Sequence, residues 1–175
     1  MKKMKNDNKG FTLVELIVVL VILAILAAIL VPALLGYIDE AKASQLELHG
    51  KSVYTAAQAV SSKMYAKDAR PDDGTGKTMD STKTNKVYFA DEVKKISEID
   101  TFGNTTSTAY VKFGTSTVTT TPLPTTEKRK YYVVEEIIYE EDGKFVQLKN
   151  GIWESLTTLP SDADTAYVKV TGKTA

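Results

Sequence analysis

Hydrophobic positions follow a helical pattern in the first part of the chain. No residue from 16 to 38 is charged and nearly all are apolar, and as a helix rising about 1.5 Å per residue this stretch could cross a hydrocarbon core of about 30 Å. From residue 38 onward the apolar positions keep helical spacing but share the helix with charged residues. The pattern predicts one helix over residues 11–65 whose second half is amphipathic. The apolar stripe of that half is Leu46, Val53, Ala57, Val60 and Met64.

The pattern changes to alternation in the second half of the chain. A short helix is predicted over residues 88–99, and strands are predicted over residues 109–113, 130–140, 144–149 and 166–170. Asp142-Gly143 between two of these strands is a hairpin signal. The threonine-rich residues 105–128 could form an edge strand and a loop or a glycosylated surface, and we favour the edge strand and loop because Thr suits exposed strand positions. Together the strands predict a three- or four-stranded antiparallel sheet that packs on the amphipathic stripe, which is an α+β fold.

The connection between helix and sheet, residues 67–85, is rich in Asp, Gly, Thr and Lys and ends the long helix. Its acids Asp68, Asp72, Asp73 and Asp80 do not have the spacing of a calcium loop. Asp162 and Asp164 are too few to define a second calcium site. No metal site is therefore predicted.

Composition narrows the classes of function. The chain has 22 basic and 22 acidic residues, one histidine and no cysteine, so disulfides and thiol chemistry are excluded. His49 lies within the predicted helix and is interpreted as a surface residue, and no hydrolase or phosphate-loop motif is present. We expect neither an enzyme nor a cofactor. The basic cluster 128–130 has acids on both sides, so nucleic acid is not an expected partner.

The charged residues on either side of the apolar stretch predict its orientation in a membrane. Four lysines precede it, and Asp39 and Glu40 follow it. The positive-inside rule then places the N-terminus in the cytoplasm and the C-terminal body outside.

Two ordinary interpretations of the apolar stretch remain to be weighed. A secretory signal peptide would use the A-x-A site at Ala41 and Ala43, but the apolar region is too long and charged residues separate it from that site. A simple membrane anchor fits the length but not Glu15, because a carboxylate in a membrane span costs about 2.5 kcal/mol or more. Both interpretations leave Glu15 without a role.

The stretch KGFTLVELIVVLVILAILAAILVPALL, residues 9–35, closely resembles the N-terminus of type IV pilins and their pseudopilin relatives. The resemblance implies that a prepilin peptidase cleaves between Gly10 and Phe11 and methylates the new amino group of Phe11. It also implies the pilin fold, a long helix on a small antiparallel sheet. The expected divisions are a leader (1–10), a transmembrane and fibre-core helix (11–38), the amphipathic half of the helix (39–66) and a globular head (67–175).

The resemblance also assigns roles and partners. Glu15 would pair with the Phe11 ammonium of a neighbouring subunit and set the register of assembly, and Pro32 and Gly36 would kink or loosen the helix. The partners would be other copies of the chain, the prepilin peptidase, a platform protein and an assembly ATPase. The subunit would be anchored in the cytoplasmic membrane before assembly and would then become part of an extracellular pilus for adhesion, motility or aggregation.

Two related functions stay open at this point, a DNA-uptake competence pilin and a secretion-system pseudopilin. The absence of cysteine departs from the disulfide-closed pilins of Gram-negative bacteria and suggests a Gram-positive, clostridium-like type.

Overall fold

The computed structural model describes residues 10–72, 79–99, 107–115 and 125–171. The chain divides into two compact units, residues 1–42 and residues 43–175, and helix α1, Leu13–Ala66, contributes to both. The other helices are α2 (Asn85–Ser97), α3 (Thr125–Lys130) and α4 (Ala163–Ala166), and the strands are β1 (Ser107–Phe113), β2 (Val134–Glu141), β3 (Lys144–Lys149), β4 (Ile152–Leu156) and β5 (Val168–Val170). The predicted α+β fold, a long N-terminal helix with a small antiparallel sheet, is confirmed.

The five strands form one antiparallel sheet in the order β4-β3-β2-β1-β5. The predicted hairpin at Asp142-Gly143 joins β2 to β3, with φ of 51° and 74° at the two residues. A second hairpin at Asn150-Gly151, with φ of 52° and 79°, joins β3 to β4. Positive φ at both central residues is the geometry that Asn-Gly and Asp-Gly adopt most readily. The prediction of three or four strands was wrong because this second hairpin was overlooked.

Several element boundaries also differ from the prediction. Strand β2 begins at Val134 and not at residue 130, since Lys130 ends helix α3. Strand β5 begins at Val168 because Ala166 belongs to α4. Helix α2 begins at Asn85, three residues before the predicted start, because the Thr84 hydroxyl accepts a hydrogen bond from the Val87 amide at 3.4 Å and caps the helix.

The prediction that residues 105–128 contribute an edge strand was also wrong. Strand β1 lies inside the sheet, paired with β2 on one side and β5 on the other. Residues 101–106 and 116–124 lie outside the described part of the chain.

The core of the second unit lies between the amphipathic half of α1 and the inner face of the sheet. All five residues of the predicted stripe are buried, and the sheet contributes buried side chains such as Val111, Ile137 and Tyr139. Gly50 allows the closest approach, because a Cβ atom there would lie 2.8 Å from the Trp153 ring and 3.1 Å from Val146. The Ser61 hydroxyl donates to the Tyr132 carbonyl at 2.6 Å and satisfies a buried group beside β2.

His49 is not the surface residue that the sequence suggested. Its side chain is 24% exposed, and its Nδ1 lies 2.7 Å from Oε2 of Glu141 at the end of β2. The Tyr139 hydroxyl donates to the same carboxylate oxygen at 3.3 Å. These contacts connect α1 to the β2–β3 hairpin.

The outer face of the sheet carries a polar cluster around Glu136. Its carboxylate accepts a hydrogen bond from the Tyr167 hydroxyl at 2.6 Å and lies 3.4 Å from Lys112 Nζ and 3.7 Å from Lys149 Nζ. Burial pushes the pKa of Glu136 upward, but the Tyr167 hydrogen bond and the two lysines outweigh it, so the pKa is lowered below its usual value. The ionised form is therefore favoured in the folded protein.

This shift gives the stability of the second unit a pH dependence. A carboxyl group with a lowered pKa stabilises the folded state above the pKa of the unfolded chain, near 4.5, and that contribution is lost as the pH falls through the folded value. Glu136→Gln should therefore show a smaller fall in Tm than the wild type between pH 7 and pH 3, measured by circular dichroism on the full chain in detergent. Glu140→Gln, on the same face of β2, is the matched control and should fall as steeply as the wild type. An equally steep fall in Glu136→Gln would contradict the assignment.

Candidate functional site at the N-terminus of the long helix

Glu15 is held by Thr12 at the first turn of α1. The Thr12 amide and the Thr12 hydroxyl each donate to Glu15 Oε2 at 2.8 Å, and the Glu15 amide lies 3.3 Å from the Thr12 hydroxyl oxygen. Thr12 is the residue that precedes the helix, and Glu15 is the third residue within it. The two side chains thus satisfy each other's backbone amides.

This reciprocal arrangement is a capping box, in which a Ser or Thr precedes the helix and a Glu or Gln stands at its third position. It pairs amide groups that the first turn of any helix leaves without a partner. The carboxylate also carries a negative charge where the helix dipole is positive, which is favourable. Glu15 therefore has a local structural function within its own chain.

Thr12 is a site residue that the sequence interpretation missed. The signal was present as Thr12-x-x-Glu15 directly before an apolar run, which is the sequence pattern of a capping box. The cost of a carboxylate in an apolar run pointed to a partner outside the chain. The structure shows that a partner also exists three residues away.

The surroundings of this cap are apolar and unburied. Each residue from 10 to 45 is exposed in the described chain, including large side chains such as Leu13 (74%), Val14 (68%) and Ile29 (69%). Helix α1 is the one described helix that is long and apolar enough to cross a membrane. Its N-terminal part therefore presents apolar surface on all sides, which lipid or other helices would have to cover.

The remaining predicted residues are spread along this part of the chain. Gly10 and Phe11 immediately precede the cap, Phe11 is 89% exposed, and a Cβ at Gly10 would meet nothing within 4 Å. Pro32 lies inside α1 and Gly36 lies four residues later, both away from Glu15. The structure thus brings Glu15 together with Thr12 and places Gly10 and Phe11 beside them, while the kink at Pro32 and Gly36 stays a prediction.

The acidic side chains of the described residues lie apart from one another. Within the described ranges, no three side chains of the metal-binding types lie close enough together to hold an ion. Asp68, Asp72 and Asp80, which the sequence offered as acids of one loop, each have a different partner. The Asp68 carboxylate pairs with Lys128 at 2.6 Å and the Asp72 carboxylate pairs with Arg70 at 2.7 Å. The Asp80 carboxylate accepts a hydrogen bond from the Thr82 hydroxyl at 2.7 Å. Asp73 lies outside the described residues.

Comparison with protein families gives one match. Residues 5–31 match the family model described as the prokaryotic N-terminal methylation motif. The chain carries this methylation motif, which is typical of type IV pilins. The match includes Gly10, Phe11, Thr12 and Glu15, so the capping box lies inside it. Neither the curated proteins nor the solved structures contain a match to the chain.

The methylation motif supports a precursor similar to type IV pilins and pseudopilins. The motif is structural and does not define an enzyme family. It implies processing by a prepilin peptidase and assembly into a pilus or a secretion apparatus. The exposed apolar helix is consistent with membrane anchoring before assembly.

The capping box predicts a local loss of stability when the Thr12 hydroxyl is removed. Thr12→Val keeps the shape of the side chain but removes the hydroxyl, whereas Thr12→Ser keeps it. Loss of a cap costs about 1 kcal/mol, so the amides of Glu15 and Leu16 should exchange hydrogen about fivefold faster in the valine variant. Hydrogen exchange of the full chain in detergent micelles measures this. Equal exchange rates in the valine and serine variants would contradict the cap.

Proposed function

We propose that the chain is the precursor of a type IV pilus subunit. In this proposal the prepilin peptidase cleaves after Gly10 and methylates the amino group of Phe11, and the subunit stays in the cytoplasmic membrane with its body outside. A platform protein and a cytoplasmic ATPase then add the subunits to a fibre whose interior consists of the N-terminal helices. The pilus serves adhesion, motility or aggregation.

The proposal rests mainly on the position of the Glu15 carboxylate at the start of an exposed apolar helix. Both hydrogen bonds from Thr12 use Oε2 of Glu15. Cleavage after Gly10 would leave Thr12 and Glu15 intact and would create an ammonium group on Phe11, the residue just before the cap. The chain would then present the Glu15 carboxylate and the Phe11 ammonium at the same end of the apolar helix.

Pairing between copies follows from the dielectric environment. A charge in an apolar assembly is costly unless an opposite charge pairs with it. An incoming subunit can place its Phe11 ammonium against the Glu15 carboxylate of a subunit already in the fibre, and the pair fixes the axial offset between the two helices. The Thr12 hydrogen bonds hold the carboxylate in one place and so favour a single register.

The same hydrogen bonds explain how Glu15 tolerates the membrane before assembly. A carboxylate that accepts an amide and a hydroxyl hydrogen bond retains part of the solvation that it loses on leaving water. Glu15 is also near the end of the helix that the lysine-rich flank assigns to the cytoplasmic side. The cap therefore lowers the cost of storage in the membrane, and assembly supplies the ion pair.

A DNA-uptake pilin is the less favoured alternative. Its best basic cluster, residues 128–130, has two of its three cations already in ion pairs, because Lys128 lies 2.6 Å from Asp68 and Lys130 lies 3.0 Å from Glu127. Such pairing reduces the attraction for phosphate groups. A secretion pseudopilin would share the same N-terminal site, and the length of the purified filament would separate it from a pilus subunit.

Neutralising Glu15 tests the proposal. Glu15→Gln keeps an oxygen that can accept the Thr12 hydrogen bonds but removes the charge, so membrane insertion and cleavage should continue. Deleting one partner of a buried ion pair costs about 3–5 kcal/mol, so the amount of filament sheared from cells should fall by at least about tenfold while the processed subunit remains in the membrane fraction.

The matched control is Glu47→Gln, which changes an acid on the same helix within the second unit, where Glu47 pairs with Lys51 at 2.6 Å. This variant should form filaments at the wild-type level. Normal filament yield from Glu15→Gln would show that the carboxylate does not direct assembly.

A further inference from the structure

Strand β4, Ile152–Leu156, forms one edge of the sheet and pairs only with β3 in the described part of the chain. Its register with β3 has no bulge or break. Ile152 is 67% exposed, and Glu154 and Ser155 are also exposed. The side of β4 that faces away from β3 is therefore open to solvent.

The hairpin between β3 and β4 determines which backbone groups of β4 face outward. Lys149 and Ile152 close this two-residue hairpin as a hydrogen-bonded pair, and such pairs alternate with non-hydrogen-bonded pairs along an antiparallel ladder. The amide and carbonyl groups of Trp153 and Ser155 therefore point away from β3. No turn or loop in the described ranges forms a backbone hydrogen bond with either residue. An added strand could pair with these groups.

The opposite edge of the sheet is protected against such an addition. Strand β5 has only three residues, carries Lys169 at its centre and has α2 packed beside it. Short edge strands, lysines and covering helices all hinder the pairing of another strand. Strand β4 has five residues and contains neither lysine nor proline, so Glu154 is its one charged residue. The edge at β4 is therefore the more accessible of the two.

The side chains of β4 alternate between the two faces of the sheet. The Trp153 ring packs against α1 at Gly50, which places it on the inner face. Ile152, Glu154 and Leu156 therefore lie on the outer face, with the carboxylate between two apolar side chains. A strand added to this edge would have three side chains beside this row.

The charge of Glu154 selects the middle one of these three side chains. Among the described residues Glu154 forms no ion pair, and Lys149, its diagonal neighbour on β3, lies 3.7 Å from Glu136 instead. Opposite charges that face each other across two strands stabilise the pair, and like charges destabilise it. The complementary strand therefore has a lysine or arginine opposite Glu154 and apolar residues two positions to either side.

Strands from a second copy of the chain do not meet this requirement. Two β4 strands that pair antiparallel over all five residues would place Glu154 of one copy directly opposite Glu154 of the other. Strand β5 of a second copy has a lysine, but it has only three residues, and Lys169 already lies 3.6 Å from Asp164. The edge at β4 therefore fits a strand from another protein.

We propose that the outer edge of β4 binds an extended segment of another protein by strand addition, and that Glu154 selects segments with a basic residue between two apolar residues on one face. Backbone hydrogen bonds at Trp153 and Ser155 supply affinity, and the outer row of side chains supplies specificity. Because β4 belongs to the second unit, this surface depends neither on the N-terminal site nor on the proposed pilus.

Two blocked peptides test the binding. Each has the sequence Thr-Val-Thr-X-Thr-Val-Thr, with lysine at X in the probe and glutamate at X in the control. Trp153 is the only tryptophan of the chain and lies in β4, so its fluorescence reports binding to the full chain in detergent micelles. The lysine peptide should bind at least about threefold more tightly than the glutamate peptide. Absence of binding, or equal binding of both peptides, would overturn the proposal.

Variants of β4 separate the two parts of the interaction. Glu154→Lys should reverse the preference, so that the glutamate peptide binds more tightly. Ser155→Pro removes one outward amide and no bond to β3, so binding of the lysine peptide should fall about fivefold, whereas the matched control Ser155→Ala should bind as the wild type does. An unchanged preference in Glu154→Lys would overturn the proposal, whether or not the proline variant folds. So would a wild-type dimer in sedimentation that Glu154→Lys abolishes, because a second copy would then occupy the edge.

Discussion

The apolar surface of the N-terminal helix determines where this protein can exist. Residues 10–45 bury none of their side chains within the described chain, although the segment is as apolar as a membrane span. At about 25 cal/mol for each Å² of apolar surface, such a helix cannot remain in water alone. It must lie in lipid or among other helices, and the N-terminal methylation motif within it is typical of type IV pilins.

The two halves of α1 differ in how their apolar side chains are covered. The first half has apolar residues on all sides and needs surroundings that the chain does not supply. The second half has one apolar stripe, whose residues Val53, Val60 and Met64 are fully buried in the core that the sheet and α2 share with it. Gly50 brings the helix close to Trp153 and Val146 on the sheet. One helix therefore joins a folded head to a segment whose partners are outside the chain.

Glu15 combines a local role with the proposed role in assembly. Within the chain it completes the cap with Thr12, and in a fibre the same carboxylate would receive a cation from another copy. The two roles are compatible because a carboxylate has two oxygens and about four acceptor positions. An isolated charge would have been expensive in the membrane, whereas a charge that caps its own helix is already partly stabilised.

The sequence revealed the long helix, its amphipathic stripe, the Asp142-Gly143 hairpin and the N-terminal motif, because each has a strong local signal. Prediction from the sequence failed where the local signal was weak or where tertiary contacts determine the structure. Strand β4 is short and mixed in character, and residues 130–133 looked like strand although helix α3 and a turn occupy them. The pairing of His49 with Glu141 joins residues 92 positions apart, and no periodicity reports such a contact. Thr12 could have been found from its spacing to Glu15.

The most direct test of the account is the intact mass and N-terminal residue of the protein sheared from the surface of cells that express it. We expect a chain that starts at Phe11 and carries one methyl group on its amino nitrogen, which would give Glu15 its cationic partner. A chain that starts at Met1, or at Ser44 after the A-x-A site, would contradict it, because the apolar helix would then have been a simple anchor or a discarded signal.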